Sequence, residues 1–323
     1  MGLVTGVEWT DLTWNPWQGC NKVSPACEHC YMFRGMRQYG RNPLVVVRSA
    51  PNTFNLPLKR RRSGEYAVEP GRKVFTCSWS DWFHKRADAW RADAWSIVRQ
   101  RPDVTFQIVT KRTERIADCL PPDWGDGYPN VWLIATAETQ AWYDKRLADL
   151  VRIPAAVRGF SIEPLLGPID LGLWRAVPKA GRGPLSSWSS GDVVLRELVH
   201  WIIVGGESGA GELSRPMHPQ WVRELRDQCR LADVAFFFKQ WGDWQNGSTL
   251  GKARGRDAVI LSSGRLVFPD TRENRQAADR EEGHEWNHRY PTAIARVGKK
   301  KAGRLLDGRE WNEFPRVVSE AAV

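Results

Sequence analysis

Long apolar runs are missing from this sequence. No stretch approaches the roughly 18 apolar residues that a membrane-spanning helix needs. The first residues also lack the basic and then apolar pattern of a secretory leader. We therefore expect a protein that has no membrane partner and works in a reducing cytoplasm.

Cysteine is scarce, and its distribution is uneven. The chain of 323 residues has six cysteines, and three of them, Cys20, Cys27 and Cys30, fall within eleven residues with the spacing Cys-x6-Cys-x2-Cys. The remaining three are isolated in the chain: Cys77, Cys119 and Cys229. A compact trio without a leader indicates a metal or iron–sulfur site rather than a disulfide framework.

Three interpretations of the trio stay open at this point. Three thiolates on a four-iron cluster leave one iron open, as catalysis requires, and we favour this interpretation. A closed tetrahedral zinc site needs a fourth ligand, for which His29 is the nearby candidate. The third interpretation is a set of unligated thiols.

The chain is strongly basic and rich in tryptophan. Its net charge is +10 and it contains 18 tryptophans, more than its 6 tyrosines or 11 phenylalanines. Excess positive charge favours a polyanionic partner such as nucleic acid, although a solvated basic surface would give the same composition. Tryptophan can pack a core, and exposed tryptophan beside arginine can also stack on bases.

Two basic runs are candidates for phosphate contacts. One contains Arg60, Arg61 and Arg62, and the other, near the end of the chain, contains Lys299 and Lys300. Such runs are usually solvated faces, but beside a nucleic-acid site they would hold phosphates.

From residue 73 onward, short apolar runs alternate with segments of helical composition. Near-continuous apolar strands that alternate with helices predict a parallel sheet buried on both faces. With a short strand before the cysteines, this gives about seven βα units. We therefore predict an α/β fold, a partial or full TIM-like (β/α) barrel of about six to seven parallel strands. The later strands are expected at these positions: 73–77, 104–109, 131–135, 157–160, 200–204 and 234–238.

Polar residues follow each predicted strand. A single polar tail would be an ordinary cap or turn, but six in succession predict a shared site at the carboxyl ends of the strands. The candidate side chains, in chain order, are these: Ser78, Ser80, Asp81, Lys111, Thr136, Glu138, Ser161, Glu163, Glu207 and Lys239.

The sequence also suggests a division of the chain. We expect the barrel to occupy residues 1–243, with an insertion at about 176–198. The polar region 244–323 would be a C-terminal extension with a hairpin at 257–268 and a basic tail.

Several short motifs stand out at the cysteine loop and at the strand ends. They are the cysteine trio followed by Tyr31, Trp79-Ser80-Asp81, Thr110-Lys111-Arg112, the stretch 161–168, the stretch 204–209 and the stretch 238–242. Together these motifs resemble a family of phage and prophage proteins that are often encoded beside a "three-Cys-motif partner" protein. The resemblance runs from about residue 5 to 245, with a further short match at 301–308. It implies the host cytoplasm as the compartment and a three-Cys-motif protein as a possible partner.

This family in turn resembles an outlier of the radical S-adenosylmethionine (SAM) enzymes, which place a three-cysteine loop after the first strand of a partial barrel. The resemblance implies a [4Fe-4S] cluster, SAM as a cofactor and an external electron donor. It assigns Cys20, Cys27 and Cys30 as cluster ligands. The implied cofactor contacts are His29 near adenine, Tyr31, and Ser78, Ser80 and Asp81 at the SAM amino group, together with Lys111, Thr136, Glu138 and Ser161.

Two features depart from the radical-SAM pattern. Those enzymes commonly have Cys-x3-Cys-x2-Cys, and here the first gap is doubled. Their Gly-Gly-Glu motif follows the second strand, whereas Gly205-Gly206-Glu207 follows a late one.

The leading hypothesis is thus a radical-SAM enzyme that modifies or repairs a nucleic-acid base or nucleotide. Glu163, Glu207 and Lys239 would be the catalytic candidates, one of them as a proton donor. The structural alternative is that Glu163 and Glu207 form salt bridges with Lys111 and Lys239. The second hypothesis is a non-catalytic nucleic-acid-binding protein stabilised by zinc or a cluster. A metal-dependent hydrolase using the carboxylates is disfavoured, on the expectation that the chain has neither a paired histidine motif nor an Asp-x-Asp.

Overall fold

The computed structural model describes residues 5–178, 192–209, 213–246, 257–260, 266–267 and 292–316. The α-helices in these residues are α1 (Tyr31–Gln38), α2 (Pro51–Phe54), α3 (Asp88–Arg99), α4 (Gln140–Leu150), α5 (Pro219–Leu231) and α6 (Lys299–Ala302). The strands are β1 (Leu12–Trp14), β2 (Trp17–Gln18), β3 (Val47–Arg48), β4 (Lys73–Thr76), β5 (Thr105–Thr110), β6 (Val131–Thr136), β7 (Val157–Ile162), β8 (Ala176–Pro178), β9 (Asp192–Val194), β10 (Trp201–Gly205), β11 (Ala235–Gln240), β12 (Trp244–Asn246), β13 (Asp257–Ile260), β14 (Leu266–Val267) and β15 (Thr292–Arg296).

Seven of the strands form one parallel sheet in the order β1-β4-β5-β6-β7-β10-β11. Every pair of neighbours is parallel, and helices α3, α4 and α5 provide connections between them. Strands β1 and β11 are the two edges, so the sheet curls into a half-barrel without closing. The predicted partial TIM-like barrel is confirmed.

The sheet is apolar on both faces, which explains the near-continuous apolar strands. In β10, Ile202 and Val204 belong to the apolar layer that also contains residues of α3, α4 and α5. Trp201 and Ile203 point to the opposite, concave face, where they pack with Trp9. Alternate residues of a strand face opposite sides, so each side chain finds its own apolar layer.

Most of the tryptophans belong to this core. Eleven of the 18 are buried, and on the concave face the ring of Trp201 lies 6.2 Å from Trp9 and 5.5 Å from Trp132. Within the described residues, Trp174 is the tryptophan that is clearly exposed. The composition therefore reflects packing, and base stacking by exposed tryptophan is not a general feature of the described surface.

The C-terminal segment covers the outer edge of the sheet. The Phe238 amide of β11 donates to the Trp311 carbonyl at 2.9 Å, and the Glu313 amide donates to the Phe236 carbonyl at 3.2 Å. A backbone edge paired in this way is closed to further strands. None of the helices in the described residues has the length and apolar character that crossing a bilayer demands.

Strands also form in the regions expected to lie outside the barrel. β8 and β9 pair antiparallel within the predicted insertion, and the residues between them are not described. β13 and β14 pair antiparallel at the predicted hairpin, whose Ser-Gly turn lies outside the described residues. These two strands belong to a four-stranded sheet of order β12-β15-β13-β14.

Candidate functional site

The three clustered cysteines open into one cavity at the carboxyl ends of the parallel strands. The cavity has a volume of about 470 Å³, and Cys20, Cys27 and Cys30 all line it. A short helical turn, Pro25–Cys27, carries the second cysteine, and Cys30 immediately precedes α1. We call residues 19–30 the cysteine loop.

The loop begins at a position that requires glycine. Gly19 has φ +95°, and a Cβ there would collide with the Val45 carbonyl oxygen. The adjacent Cys20 amide donates to the Pro43 carbonyl at 2.8 Å. The segment 43–47 therefore packs directly against the start of the cysteine loop.

Most of the side chains predicted from the strand ends do meet in this cavity. Besides the cysteines, the lining includes His29, Tyr31, Ser78, Ser80, Asp81, Lys111, Thr136, Ser161, Glu163, Glu207, Lys239 and Lys299. Glu138, Lys300 and the run Arg60, Arg61 and Arg62 are not part of the lining. A position in the lining shows only that a residue is close to the cavity. Its hydrogen bonds determine whether its polar group is available to a ligand.

The first strand-end contact to the loop comes from Arg112, which follows β5. Its guanidinium donates to the Asn21 carbonyl at 3.0 Å and lies 3.5 Å from the Cys20 sulfur. The same guanidinium forms an ion pair with Asp81 at 3.0 Å. Arg112 thus joins the ends of β4 and β5 to the first cysteine.

The Asp81 carboxylate is already fully engaged inside the protein. It accepts hydrogen bonds from the Thr110 hydroxyl at 2.8 Å, the Lys111 amide at 2.9 Å and the Phe83 amide at 3.0 Å, in addition to the Arg112 ion pair. Burial alone would raise the pKa of this carboxyl, but Arg112 and the hydrogen bonds outweigh it and hold the pKa below its usual value. The predicted contact to the SAM amino group would have to compete with these partners.

The second contact comes from Glu138, which follows β6. Its carboxylate is fully buried, pairs with Arg146 of α4 at 3.0 Å and accepts a hydrogen bond from the Ala26 amide at 3.2 Å. Since Glu138 does not line the cavity, its observed contacts are to the tip of the cysteine loop rather than to cofactor space. A buried carboxylate paired in this way fixes the loop next to Cys27.

The third contact comes from Glu207 and Arg215. Glu207 accepts from Arg215 at 2.5 Å and lies 3.0 Å from the His29 ring nitrogen, while Arg215 donates to the Pro25 carbonyl at 3.1 Å and pairs with Glu28 at 3.1 Å. Burial opposes ionisation of Glu207, but Arg215 and His29 hold its pKa below the usual value. Glu207 therefore forms its salt bridge with Arg215 and not with the lysine that the structural alternative expected.

Glu163 and Lys239 form the salt bridge that the structural alternative anticipated. Lys239 Nζ lies 3.2 Å from Glu163 Oε2. Glu163 Oε1 is buried and has no hydrogen-bond partner in the described residues. Gly205 lies against this oxygen, and a Cβ at Gly205 would collide with it. Glycine at position 205 is therefore needed for close packing of β10 against Glu163.

Burial raises the pKa of two thiols in the cavity lining, those of Cys20 and Cys77. Burial raises the pKa of Cys20 to about 11, although the nearby Arg112 acts in the opposite direction. Cys77 also lines the cavity; it is buried, has φ +59°, and burial raises its pKa well above the usual value. A thiol of raised pKa releases its proton when it becomes a metal ligand.

The three thiols of the cysteine loop share one cavity without forming a single-ion site in the described residues. Within the described part of the chain, no group of three or more His, Cys, Asp or Glu side chains is placed to hold one metal ion, and His29 is bonded to Glu207. A [4Fe-4S] cluster makes a different demand, because each thiolate binds its own iron and the sulfurs remain apart. Three free thiols on one cavity, beside the Arg112 guanidinium, fit that demand.

The basic run at 60–62 lies at the end of the sheet opposite the cavity. Arg60 stacks on Tyr66 at 4.1 Å, and Tyr66 stacks in turn on Arg101 at 4.0 Å, just before β5 begins. Arg61 pairs with Glu69 at 3.0 Å. Since residue 72 leads directly into β4, the run sits near the amino ends of the strands, opposite the cavity.

The residues that hold the loop could not be identified from the sequence. An arginine outside a basic run, such as Arg112 or Arg215, gives no signal of a buried partner. The expectation that the chain has no paired histidine motif is wrong, because the spacing His284-Glu285-x-x-His288 has the letters of a zinc-peptidase motif. That motif requires both histidines on one face of a helix, and these residues lie outside the described ones.

The sequence model of a family described as "Protein of unknown function (DUF5131)" matches residues 4–315. No curated protein and no solved structure matches the chain.

Proposed function

Since the chain belongs to the DUF5131 family, whose description assigns no activity, we propose a function from the site itself: a radical-SAM enzyme that acts on a nucleic-acid base or nucleotide. The observation that carries the proposal is the convergence of Cys20, Cys27 and Cys30 on one cavity at the carboxyl ends of a parallel half-barrel. This is the end of such folds at which ligands bind.

Each cysteine of the loop would hold one iron of a [4Fe-4S] cluster, which leaves the fourth iron for SAM. When bound, the cluster supplies the electron that cleaves the SAM sulfonium to a 5′-deoxyadenosyl radical. The cavity volume of about 470 Å³ lies within the range of about 300–1,000 Å³ typical of small-molecule sites. Its wall includes the apolar side chains of Trp9, Phe75 and Val109.

The chain's own residues fix the loop and leave a few groups for ligands. Three side chains fix the loop: Arg112 contacts Asn21, Glu138 contacts Ala26, and Arg215 contacts Pro25 and Glu28. Lys111 lines the cavity, and its ammonium has no ion pair among the described residues, which leaves it available for a carboxylate or phosphate. The Glu163–Lys239 pair at 3.2 Å can hold or move a proton at the opposite wall.

A nucleic-acid or nucleotide substrate is supported by charge. The net charge of +10 favours a polyanion. An external electron donor is a further requirement of the proposal.

The experiment is anaerobic reconstitution followed by incubation with SAM and dithionite. We expect a brown protein with broad absorption near 400 nm that dithionite bleaches, and formation of 5′-deoxyadenosine. Single replacement of Cys20, Cys27 or Cys30 by alanine should abolish both, because each thiolate binds a different iron. Cys119→Ala and Cys229→Ala are matched controls, since both thiols are buried away from the cavity.

Two outcomes would contradict the proposal. A cluster that survives loss of Cys27 would remove the ligand assignment. A colourless protein that carries one zinc ion would instead support the hypothesis of a non-catalytic nucleic-acid-binding protein.

A further inference from the structure

Helix α1 presents a basic and aromatic face to solvent directly beside the cavity. Its inner face is apolar and packs through Met32, Phe33 and Met36. Its outer face and the residues that follow are exposed and carry Tyr31, Arg34, Arg37, Tyr39 and Arg41. Spacings of three and four residues place Arg34, Arg37 and Gln38 on the same side of the helix. We call Tyr31, Arg34, Arg37, Tyr39 and Arg41 the α1 stripe.

The stripe has an unopposed positive charge. Between residues 29 and 64 the sequence contains eight lysines and arginines and no aspartate or glutamate. Among the described residues, Arg37 and Arg41 form no ion pair, and the Arg41 guanidinium contacts only the neutral Gln18 side chain, at 2.8 Å. Arginine with no carboxylate partner is well suited to bind phosphate oxygens.

The stripe is continuous with the cavity. Tyr31 and Arg34 belong both to the stripe and to the cavity lining. The Tyr31 hydroxyl donates to the Ser78 carbonyl at 2.6 Å, and Arg34 donates to the Gly209 carbonyl across the cavity mouth. A polyanion that lies along α1 would therefore reach the mouth of the cavity at Tyr31.

We propose that the α1 stripe binds single-stranded nucleic acid and directs one nucleotide toward the cavity. The arginines would contact successive phosphates, and Tyr39, which is 70% exposed, would stack on a base. This inference rests on the proposed function, since it names the strand and the surface by which that site receives its substrate. In this proposal the stripe, rather than the basic run at 60–62, binds the phosphates, since that run lies at the opposite end of the sheet.

An acidic protein is the competing occupant of this surface. Leu44, Val45 and Val47 are exposed next to the stripe and would suit a protein contact. The stripe itself combines three arginines with two exposed tyrosines, which is the combination that tracks phosphates and stacks bases. Nucleic acid is therefore the occupant that the stripe favours, and the protein is an outcome of the test.

The test compares two double variants that remove the same charge from opposite ends of the sheet. Arg37→Gln with Arg41→Gln removes charge from the stripe, and Arg60→Gln with Arg62→Gln is the matched control. The probes are fluorescent oligothymidylate and oligouridylate of about 20 nucleotides, titrated between about 50 and 200 mM salt. The stripe variant should bind at least tenfold more weakly, with a salt slope smaller by about 1.4, since each phosphate contact contributes about 0.7 for single strands. The control variant should change affinity less than twofold.

Tyr39→Ala separates stacking from charge. It should weaken binding by about tenfold and leave the salt slope unchanged, because a stacked base contributes affinity without releasing counterions. Tighter binding of one probe than the other would identify the strand as DNA or RNA and would support the proposal in either case.

Several results would overturn the inference: equal losses in the two double variants, no binding of either probe by the wild-type chain, or tighter binding to a duplex. Capture of an acidic protein that is lost in the stripe variant, without any nucleic-acid binding, would assign the surface to that protein. Failure here is distinguishable from failure of the enzymatic proposal. Arg37 and Arg41 are outside the cavity, so the stripe variant should keep the cluster colour of the wild type, and strand binding is measured without turnover.

Discussion

At the scale of single residues, the carboxylates at the strand ends divide into two groups. Asp81, Glu138 and Glu207 each pair with an arginine and hold the cysteine loop. Glu163 pairs instead with Lys239 on the cavity wall and keeps one oxygen without a partner. A carboxylate that is saturated by arginine and backbone donors contributes rigidity. Glu163 lines the cavity and has a lysine as its ion-pair partner, so we propose it, ahead of Glu207, as the catalytic carboxylate.

Asp81→Asn tests whether Asp81 holds the protein or the cofactor. Asparagine keeps the shape but removes the charge opposite Arg112, which would then be buried without its anion. We expect the free energy of unfolding, measured by denaturant titration, to fall by about 3–5 kcal/mol, which is the usual cost of breaking a buried ion pair.

The control for this variant is Asp93→Asn. Asp93 pairs with Arg48 at 3.0 Å but is 56% exposed, so its loss should cost less than about 1 kcal/mol. If the Asp81→Asn protein has normal stability and only its SAM affinity falls, Asp81 binds the cofactor instead of stabilising the protein.

At the scale of elements, the cysteine loop is held by neighbouring turns as well as by ion pairs. The Ser80 hydroxyl donates to the Gly19 carbonyl at 2.6 Å, and the His84 ring lies 2.8 Å from the Asn21 side-chain oxygen. His84 Nδ1 accepts from the Arg86 amide at 3.1 Å, so Nε2 carries the proton and donates to Asn21. Neutral histidine thus joins the turn after β4 to the loop.

Acid should weaken this connection. Burial, reinforced by Arg112, lowers the pKa of His84 to about 4. Between pH 6.5 and 4 the unfolded chain therefore binds a proton at this residue and the folded chain does not, so the free energy of unfolding falls as the pH falls through that window. We expect a loss of about 1–3 kcal/mol from this group, measured by denaturant titration at several pH values.

His84→Asn is the matched variant for the pH experiment. Asparagine caps a helical turn well and does not titrate. Its stability should depend less on pH than that of the wild type between pH 6.5 and 4. Identical pH profiles of the two proteins would show that His84 titrates normally in the folded state.

At the scale of the whole molecule, an aromatic layer fills the concave side of the half-barrel. Trp201 lies fully buried between Trp9, Trp132 and Phe237, and Phe314 from the C-terminal segment lies 5.2 Å from its ring. The Trp201 indole donates to the Glu313 carbonyl at 2.9 Å. The layer thereby joins the N-terminal region, the sheet and the C-terminal segment.

Trp201→Ala should lower the free energy of unfolding by about 3–5 kcal/mol, because it opens a large cavity and removes the partner of the Glu313 carbonyl. Thermal and denaturant unfolding give the measurement. Trp174→Ala is the control: Trp174 is 57% exposed, and its loss should cost about 0.5 kcal/mol or less. Equal effects of the two substitutions would contradict the packing role assigned to the aromatic layer.

The architecture could be predicted from the sequence because it depends on local patterns. The apolar runs ending at residues such as Thr76, Thr110 and Thr136 alternate with helical segments, and a parallel sheet buried on both faces needs that alternation. The carboxyl ends of parallel strands share one edge, so the meeting of the cysteine loop with Asp81, Glu163 and Lys239 in one cavity also follows from chain order.

The tertiary structure alone decided which polar residues are engaged and which are available. The partners of Asp81 and Glu207 are Arg112 and Arg215, and an ion pair between different strand ends leaves no periodic mark in a sequence. The same holds for the basic surfaces: the run at 60–62 has the stronger sequence signal, but the packing of Tyr66 on Arg101 places it away from the cavity. The arginines of α1 are dispersed in the sequence, and only the helix brings them onto one face beside the cysteines.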